Sequence, residues 1–203
     1  MNPVYELRLR DIASPAVHTV SPDVSLREAV RRLAESGVSS LIVVADARPV
    51  GIITEHDLLL LLDNAPLAEQ PVSQFMSAPL LTARADLDFS AAQLMMTNQG
   101  VRHLVLVEDA GHLAGMASET DFRRHMTIEL LETIQSLNSV MDHGIDLIAP
   151  GQTLAFALRS MLARGVDYVI IGIEGKPQGI LTERDVPRLF ARGVDLDTQK
   201  VGE

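Results

Sequence analysis

Gly51-Ile52-Ile53-Thr54-Glu55-His56-Asp57 decides how this chain is read. Five leucines follow it directly, Leu58 to Leu62. The pattern returns as Gly115-Met116-Ala117-Ser118-Glu119-Thr120-Asp121, and again as Gly179-Ile180-Leu181-Thr182-Glu183-Arg184-Asp185. Each copy keeps a glycine, a hydroxyl residue three places on, and an aspartate three places after that. Successive copies stand 64 residues apart in a chain of 203. A fixed period of this kind marks a repeated supersecondary unit. One unit buries too small a share of its surface to be stable alone, so units are expected to pair.

Working outward from the first copy, Val17–Val20 is short, β-prone and set between Pro15 and Pro22. Ser25 and Glu28 have the capping-box spacing. Leu26, Ala29, Val30, Leu33 and Ala34 then follow the i, i+3, i+4, i+7, i+8 pattern of an amphipathic helix, and Gly37 ends it. Val38–Ala45 is nearly all apolar, which predicts a strand buried on both faces. Asp46–Pro49 reads as a turn, Val50–Thr54 as a third strand, and the leucines as a second helix. The unit is therefore β-α-β-β-α. The second repeat gives strands at Leu80–Ala83, Val101–Val107 and Leu113–Ser118, with a helix capped by Asp88 and ended by Gly100. The third runs from Ile145. Thr153 caps its helix and Gly165 ends it. Its strands are Val166–Ile173 and Gln178–Thr182, and its last helix is Val186–Arg192.

A smaller repeat leads into each unit. Leu9-Arg10-Asp11-Ile12-Ala13-Ser14 matches Val72-Ser73-Gln74-Phe75-Met76-Ser77 and Leu137-Asn138-Ser139-Val140-Met141-Asp142. The expected organisation is a first repeat over 8–66, a second over 67–126, a helical linker over 127–136 and a third repeat over 137–194. Residues 195–203 read as the start of a fourth repeat of a longer protein.

Composition narrows the function. The chain has no cysteine, which excludes disulfides and zinc–thiolate or thiol chemistry and fits a reducing cytoplasm. Aliphatic residues must build the core, since aromatics are 3% against 47% hydrophobic. The longest apolar runs fall far short of the roughly 18 residues of a membrane span. A net charge of −10 argues against binding nucleic acid through its phosphates. The six histidines lack metal-ligand spacing, and no nucleophile motif, phosphate loop or dinucleotide fingerprint is present, so no enzyme is expected.

These motifs resemble the CBS domain, named after cystathionine β-synthase, over nearly the whole chain. The resemblance implies an α/β fold of three repeats, the first two paired as a Bateman module. It implies a regulatory module that binds AMP, ADP, ATP or S-adenosylmethionine between paired repeats and governs an attached or partner domain, often as a homodimer. Asp57, Asp121 and Asp185 take the position that accepts from ribose hydroxyls. Thr54, Ser118 and Thr182 take the position that donates to a phosphate oxygen. The base pocket would be lined by the first strand and the start of the second, including Val17, Thr19, Ser39 and His103. Arg184, Arg123, Arg124 and His56 lie in or beside the motifs and could offset phosphate charge. Unlike many members, the second strands carry no proline after the small polar residue. The connector is also similar to those of some bacterial cyclic-di-GMP signalling proteins, which implies an output domain beyond Glu203. Thr/Ser and Asp at this spacing also cap a helix without any ligand. A dimerisation scaffold that binds nothing is thus the alternative.

Overall fold

A computed structural model describes residues 7–61, 69–125 and 147–203. The expected linker helix over 127–136 and the lead-in at 137–142 lie outside the described residues. Among the described residues there are three three-stranded sheets, with orders β1-β2-β3, β4-β5-β6 and β7-β8-β9. The first repeat holds α1 (Leu9–Ile12), β1 (Thr19–Val20), α2 (Leu26–Ser36), β2 (Ser40–Ala45), β3 (Arg48–Thr54) and α3 (Glu55–Leu60). The second holds β4 (Thr82–Arg84), α4 (Phe89–Gln99), β5 (His103–Val107), β6 (Leu113–Ser118) and α5 (Glu119–His125). The third holds β7 (Leu147–Ile148), α6 (Leu154–Arg164), β8 (Tyr168–Ile173), β9 (Lys176–Thr182) and α7 (Val186–Ala191). Each first strand pairs parallel with the second, across a helix. In the second and third repeats the next pairing is antiparallel, through a hairpin.

Local chemistry sets the long helices. Ser25 Oγ accepts from the Glu28 N–H, Asp88 from those of Ser90 and Ala91, and Thr153 from that of Phe156. Each helix ends on a left-handed glycine: Gly37, Gly100 or Gly165. The capping box at Ser25 is only half made. The Glu28 carboxylate turns instead to Arg31 and Arg32, and these guanidiniums hold its pKa down at about 2.

Two differences from the sequence reading concern strands. The turns are shorter than expected. Asp46 and Ala47 both take positive φ, as do Glu174 and Gly175, so Arg48 and Lys176 already lie in strands. Pro49 and Pro177 lie within these strands, since proline is tolerated on an edge strand. The second strands also start about two residues late; the carbonyls of Ser39, Arg102 and Asp167 just before them accept from the first residue of the helical turn that follows each third strand.

The chain divides into two compact units. One comprises Met1–Ser21, Ile42–Ile52 and Ser77–Met141; the other comprises Pro22–Leu41, Ile53–Met76 and Asp142–Glu203. The first repeat contributes to both. In the first unit, Leu9 and Ile12 of α1 are buried in one cluster with Phe89, Ala92, Met96, Leu104, Leu106, Ala117 and Phe122 of the second repeat. The Phe89 and Phe122 rings meet at 5.1 Å. A second cluster joins Ile42 and Ile52 to Val105, with Met116 against it. In the second unit, α2 and α3 of the first repeat pack on α7 of the third.

Lead-in segments tie repeats together by exchange. In the first unit Leu7–Leu9 runs beside the start of α4: Phe89 N–H donates to the Leu7 carbonyl and Leu9 N–H to that of Leu87. In the second unit Gln70–Val72 does the same at the start of α2, bonding Leu26 and Val24. Gln199–Gly202 holds the start of α6 in the same way, bonding Leu154, Gln152 and Pro150.

Candidate functional site

All three glycine motifs fold alike. The third strand ends on the hydroxyl residue, and a helical turn begins at the next glutamate. Backbone bonds fix that turn: the Glu55 N–H donates to the Ser39 carbonyl at 3.1 Å, that of Glu119 to Arg102 at 2.9 Å, and that of Glu183 to Asp167 at 2.9 Å. The start of the second strand is thereby held against the motif in each repeat. His103 sits opposite Ser118 in the β5–β6 register, as Tyr168 sits opposite Thr182.

Each aspartate then turns back on its hydroxyl residue. Asp57 Oδ2 accepts from the Thr54 N–H at 2.8 Å and from its hydroxyl at 2.6 Å. Asp121 Oδ2 accepts from Ser118 at 2.9 and 2.6 Å. Asp185 Oδ2 accepts from Thr182 at 2.9 and 3.0 Å. A hydroxyl has one proton. The protons of Thr54, Ser118 and Thr182 are thus committed to the carboxylates, so donation to a phosphate requires a hydroxyl to rotate. In exchange, one carboxylate oxygen is fixed in place. The other, Oδ1 of Asp185, makes no hydrogen bond to a described residue.

The cations near the motifs are largely engaged. His56 Nδ1 lies 2.5 Å from Oε1 of Glu183, whose side chain is 6% exposed. With Glu183 ionised, the Nδ1–H must donate. This bond ties the first motif to the third within the second unit, and the sequence reading missed it. Its signal was a histidine and a glutamate at neighbouring places in two copies. Arg123 pairs with Glu119 at 2.9 Å, and Arg124 stands 3.8 Å from Asp121 Oδ1. Arg184 is exposed.

The expected site residues fall into two groups. The second unit brings together Ser39, Thr54, Asp57, Thr182, Arg184 and Asp185. The first holds Val17, Thr19, His103, Ser118 and Asp121. Val17 packs on the cluster around Ile42, and Thr19 pairs with Ile42 across β1 and β2. No cluster of metal-binding side chains occurs among the described residues. No helix among them is long and apolar enough to cross a membrane.

The CBS domain profile matches residues 9–64, 72–128 and 137–192. An uncharacterized 17.7 kDa protein of Acidianus ambivalens is 32% identical over 118 residues, covering 58% of this chain and 71% of that protein. An uncharacterized protein of Methanopyrus kandleri is 30% identical over 55% of this chain, and the match spans only 58% of that relative. Among solved structures, a Methanocaldococcus jannaschii protein described as a putative archaeal homolog of γ-AMPK superposes with a TM-score of 0.79. It is 21% identical, over 97% of this chain and 81% of that one. CBSX2 in complex with AMP gives 0.53 at 25% identity, over 63% and 98%. A CBS domain pair in complex with 5′-methylthioadenosine and S-adenosyl-L-methionine gives 0.53 at 23% identity, over 58% and 94%.

Proposed function

Because the chain belongs to the CBS domain family, we propose that it is a regulatory module that binds an adenosine-containing nucleotide at its Thr/Ser-x-x-Asp motifs. The observation that carries this reading is the pose of the aspartates. Each is immobilised through one oxygen by the residue that ends the third strand. At Asp185 the other oxygen is left to accept from a ribose hydroxyl. Accepting into a preoriented carboxylate avoids the cost of ordering it on binding. The AMP held by CBSX2 supports the ligand class. AMP, ADP, ATP and S-adenosylmethionine share the ribose that the aspartate would read.

Engaged basic side chains favour a short phosphate chain over a long one. Arg123 is paired, His56 is bonded to Glu183, and the chain carries a net charge of −10. AMP is accordingly the first ligand to test. The wider reading is a cytoplasmic homodimer whose ligand-dependent arrangement governs a linked or partner signalling domain. Cyclic-di-GMP turnover is the specific output inferred from the connector. A ligand moves such an equilibrium only by binding one arrangement more tightly than the other.

One observation favours a scaffold instead: the same aspartates complete helix starts, which needs no ligand. Thermal unfolding with AMP, ADP, ATP and S-adenosylmethionine separates the two readings. A ligand at a hundred times its dissociation constant adds about 2.7 kcal/mol. For a chain of this size that is a rise of roughly 5–10 °C. Flat curves for all four would support the scaffold.

A further inference from the structure

The three motifs differ in where their glutamate points. Glu55, Glu119 and Glu183 stand at the same place, directly after the hydroxyl residue. Glu119 is exposed, and its carboxylate bonds to Arg123 one turn on in its own helix. Glu55 is half-buried. Glu183 is buried, with 5% of its surface exposed. Its Oε1 meets Nδ1 of His56 at 2.5 Å, across 127 residues. His56 takes the middle place of the first motif, where the second has Thr120 and the third Arg184.

A carboxylate is costly to bury unless it is hydrogen-bonded. Glu183 is held at both ends. Its backbone N–H donates to the Asp167 carbonyl at 2.9 Å, and its side chain accepts from His56. It is also the first residue of the three-residue helical turn that ends on Asp185. A shift of Glu183 therefore carries Asp185 with it. His56 stands on a firm support. Before it, the Glu55 N–H is fixed to the Ser39 carbonyl; after it, the Asp57 carboxylate is fixed to Thr54. Leu58 and Leu59, next along α3, are fully buried, and α3 packs on both the Glu183–Asp185 turn and α7. A donor on a rigid element can set the geometry of a neighbouring site.

We infer that His56, in the first repeat, is a positioning residue for the Asp185 carboxylate of the third. The inference rests on the functional reading above, in which that carboxylate accepts from a ribose hydroxyl. His56 holds Glu183, Glu183 sets the turn, and the turn presents Oδ1 of Asp185, which makes no hydrogen bond to a described residue. Without His56, Glu183 loses a buried partner and must swing towards water, which distorts the turn. Among the described residues the second motif shows no such brace: Thr120 stands in the place of His56, and Glu119 bonds within its own helix. The sequence reading counted His56 among the groups that could offset phosphate charge. In the structure its Nδ1 is spent on Glu183 instead.

Calorimetric titration with AMP tests this, at a temperature where circular dichroism shows every variant folded. An Asp57→Asn/Asp121→Asn background leaves Asp185 as the remaining motif carboxylate. In that background His56→Ala should weaken binding roughly tenfold or more, the scale of one lost hydrogen bond to a charged group. Glu183→Ala should do the same, and the two changes together should cost little more than either, because they break one interaction. His56→Gln should recover much of the affinity, since its amide can still donate to Glu183. Thr120→Ala should change nothing. Unaltered affinity in His56→Ala overturns the inference, even if its melting temperature falls, since the bond would then only support the fold. An equal loss in Thr120→Ala, or additive losses at His56 and Glu183, overturns it too. Binding by the wild type but not by the background places the site at the other motifs and also overturns it, while the nucleotide reading stands. Binding by no chain removes that reading, and this inference with it.

Discussion

Leu9→Ala is expected to destabilise the protein by about 2–5 kcal/mol, the range for truncating a fully buried leucine. Leu9 lies in a helix of four residues near the start of the chain, a place where truncation is usually tolerated. Here it is 0% exposed and sits with Ile12 in the core of the second repeat. The segment before it holds the start of α4 by backbone hydrogen bonds. Removing three carbons from this cluster leaves a cavity among Phe89, Leu104 and Phe122 that the flanking sheet cannot close. Chemical denaturation of Leu9→Ala beside Leu94→Ala checks this. Leu94 is 60% exposed, and its truncation should change stability by less than about 0.5 kcal/mol. Equal, small effects at both positions would mean that the lead-in helix is not part of the core.

The motif glycines are expected to differ sharply in tolerance, although the sequence treats them as equals. A Cβ on Gly115 would lie 2.9 Å from the Ser14 carbonyl oxygen, inside any normal contact. That oxygen belongs to the two-bond bridge between Ser14 and Met116. Gly115→Ala must therefore push the lead-in strand away, at a cost of about 1–3 kcal/mol. Gly179 has nothing within 4 Å and no left-handed φ, so Gly179→Ala should be close to neutral or slightly stabilising. Melting temperatures of the two variants give the comparison. A chain of this size shifts by roughly 2–4 °C per kcal/mol. Indistinguishable values would show that the glycine serves the motif turn itself, and that strand approach does not select it.

The contrast shows where the sequence could be read and where it could not. Helices were legible because their signals are local. Ser25, Asp88 and Thr153 cap within three residues, and Gly37, Gly100 and Gly165 end within one. The motif was legible because a 64-residue period needs no structure to see. Strand starts were not. Ser39 and Arg102 are followed by β-prone residues, but their carbonyls bind the helix turn of the motif, a partner about 16 residues away. Burial was not legible either. Ile52 and Ile180 stand in near-identical stretches, and only the presence of a facing sheet makes one core and the other surface. The bonds of the candidate site were not legible. Nothing local says that the Thr54 proton goes to Asp57, or that His56 reaches Glu183 127 residues away.

The central claim is that the motif aspartates read a ribose, and titration calorimetry with AMP on the wild type and on Asp57→Asn/Asp121→Asn/Asp185→Asn tests it most directly. Asparagine keeps an oxygen to accept from the Thr/Ser N–H and hydroxyl, so the helix starts should survive and the melting temperature should change little. It removes the charge that strengthens a hydrogen bond from a ribose hydroxyl. The account predicts saturable binding of AMP to the wild type and none to the triple variant, with both chains folded. Equal binding by the two would contradict it, and would place the nucleotide, if it binds, away from these aspartates.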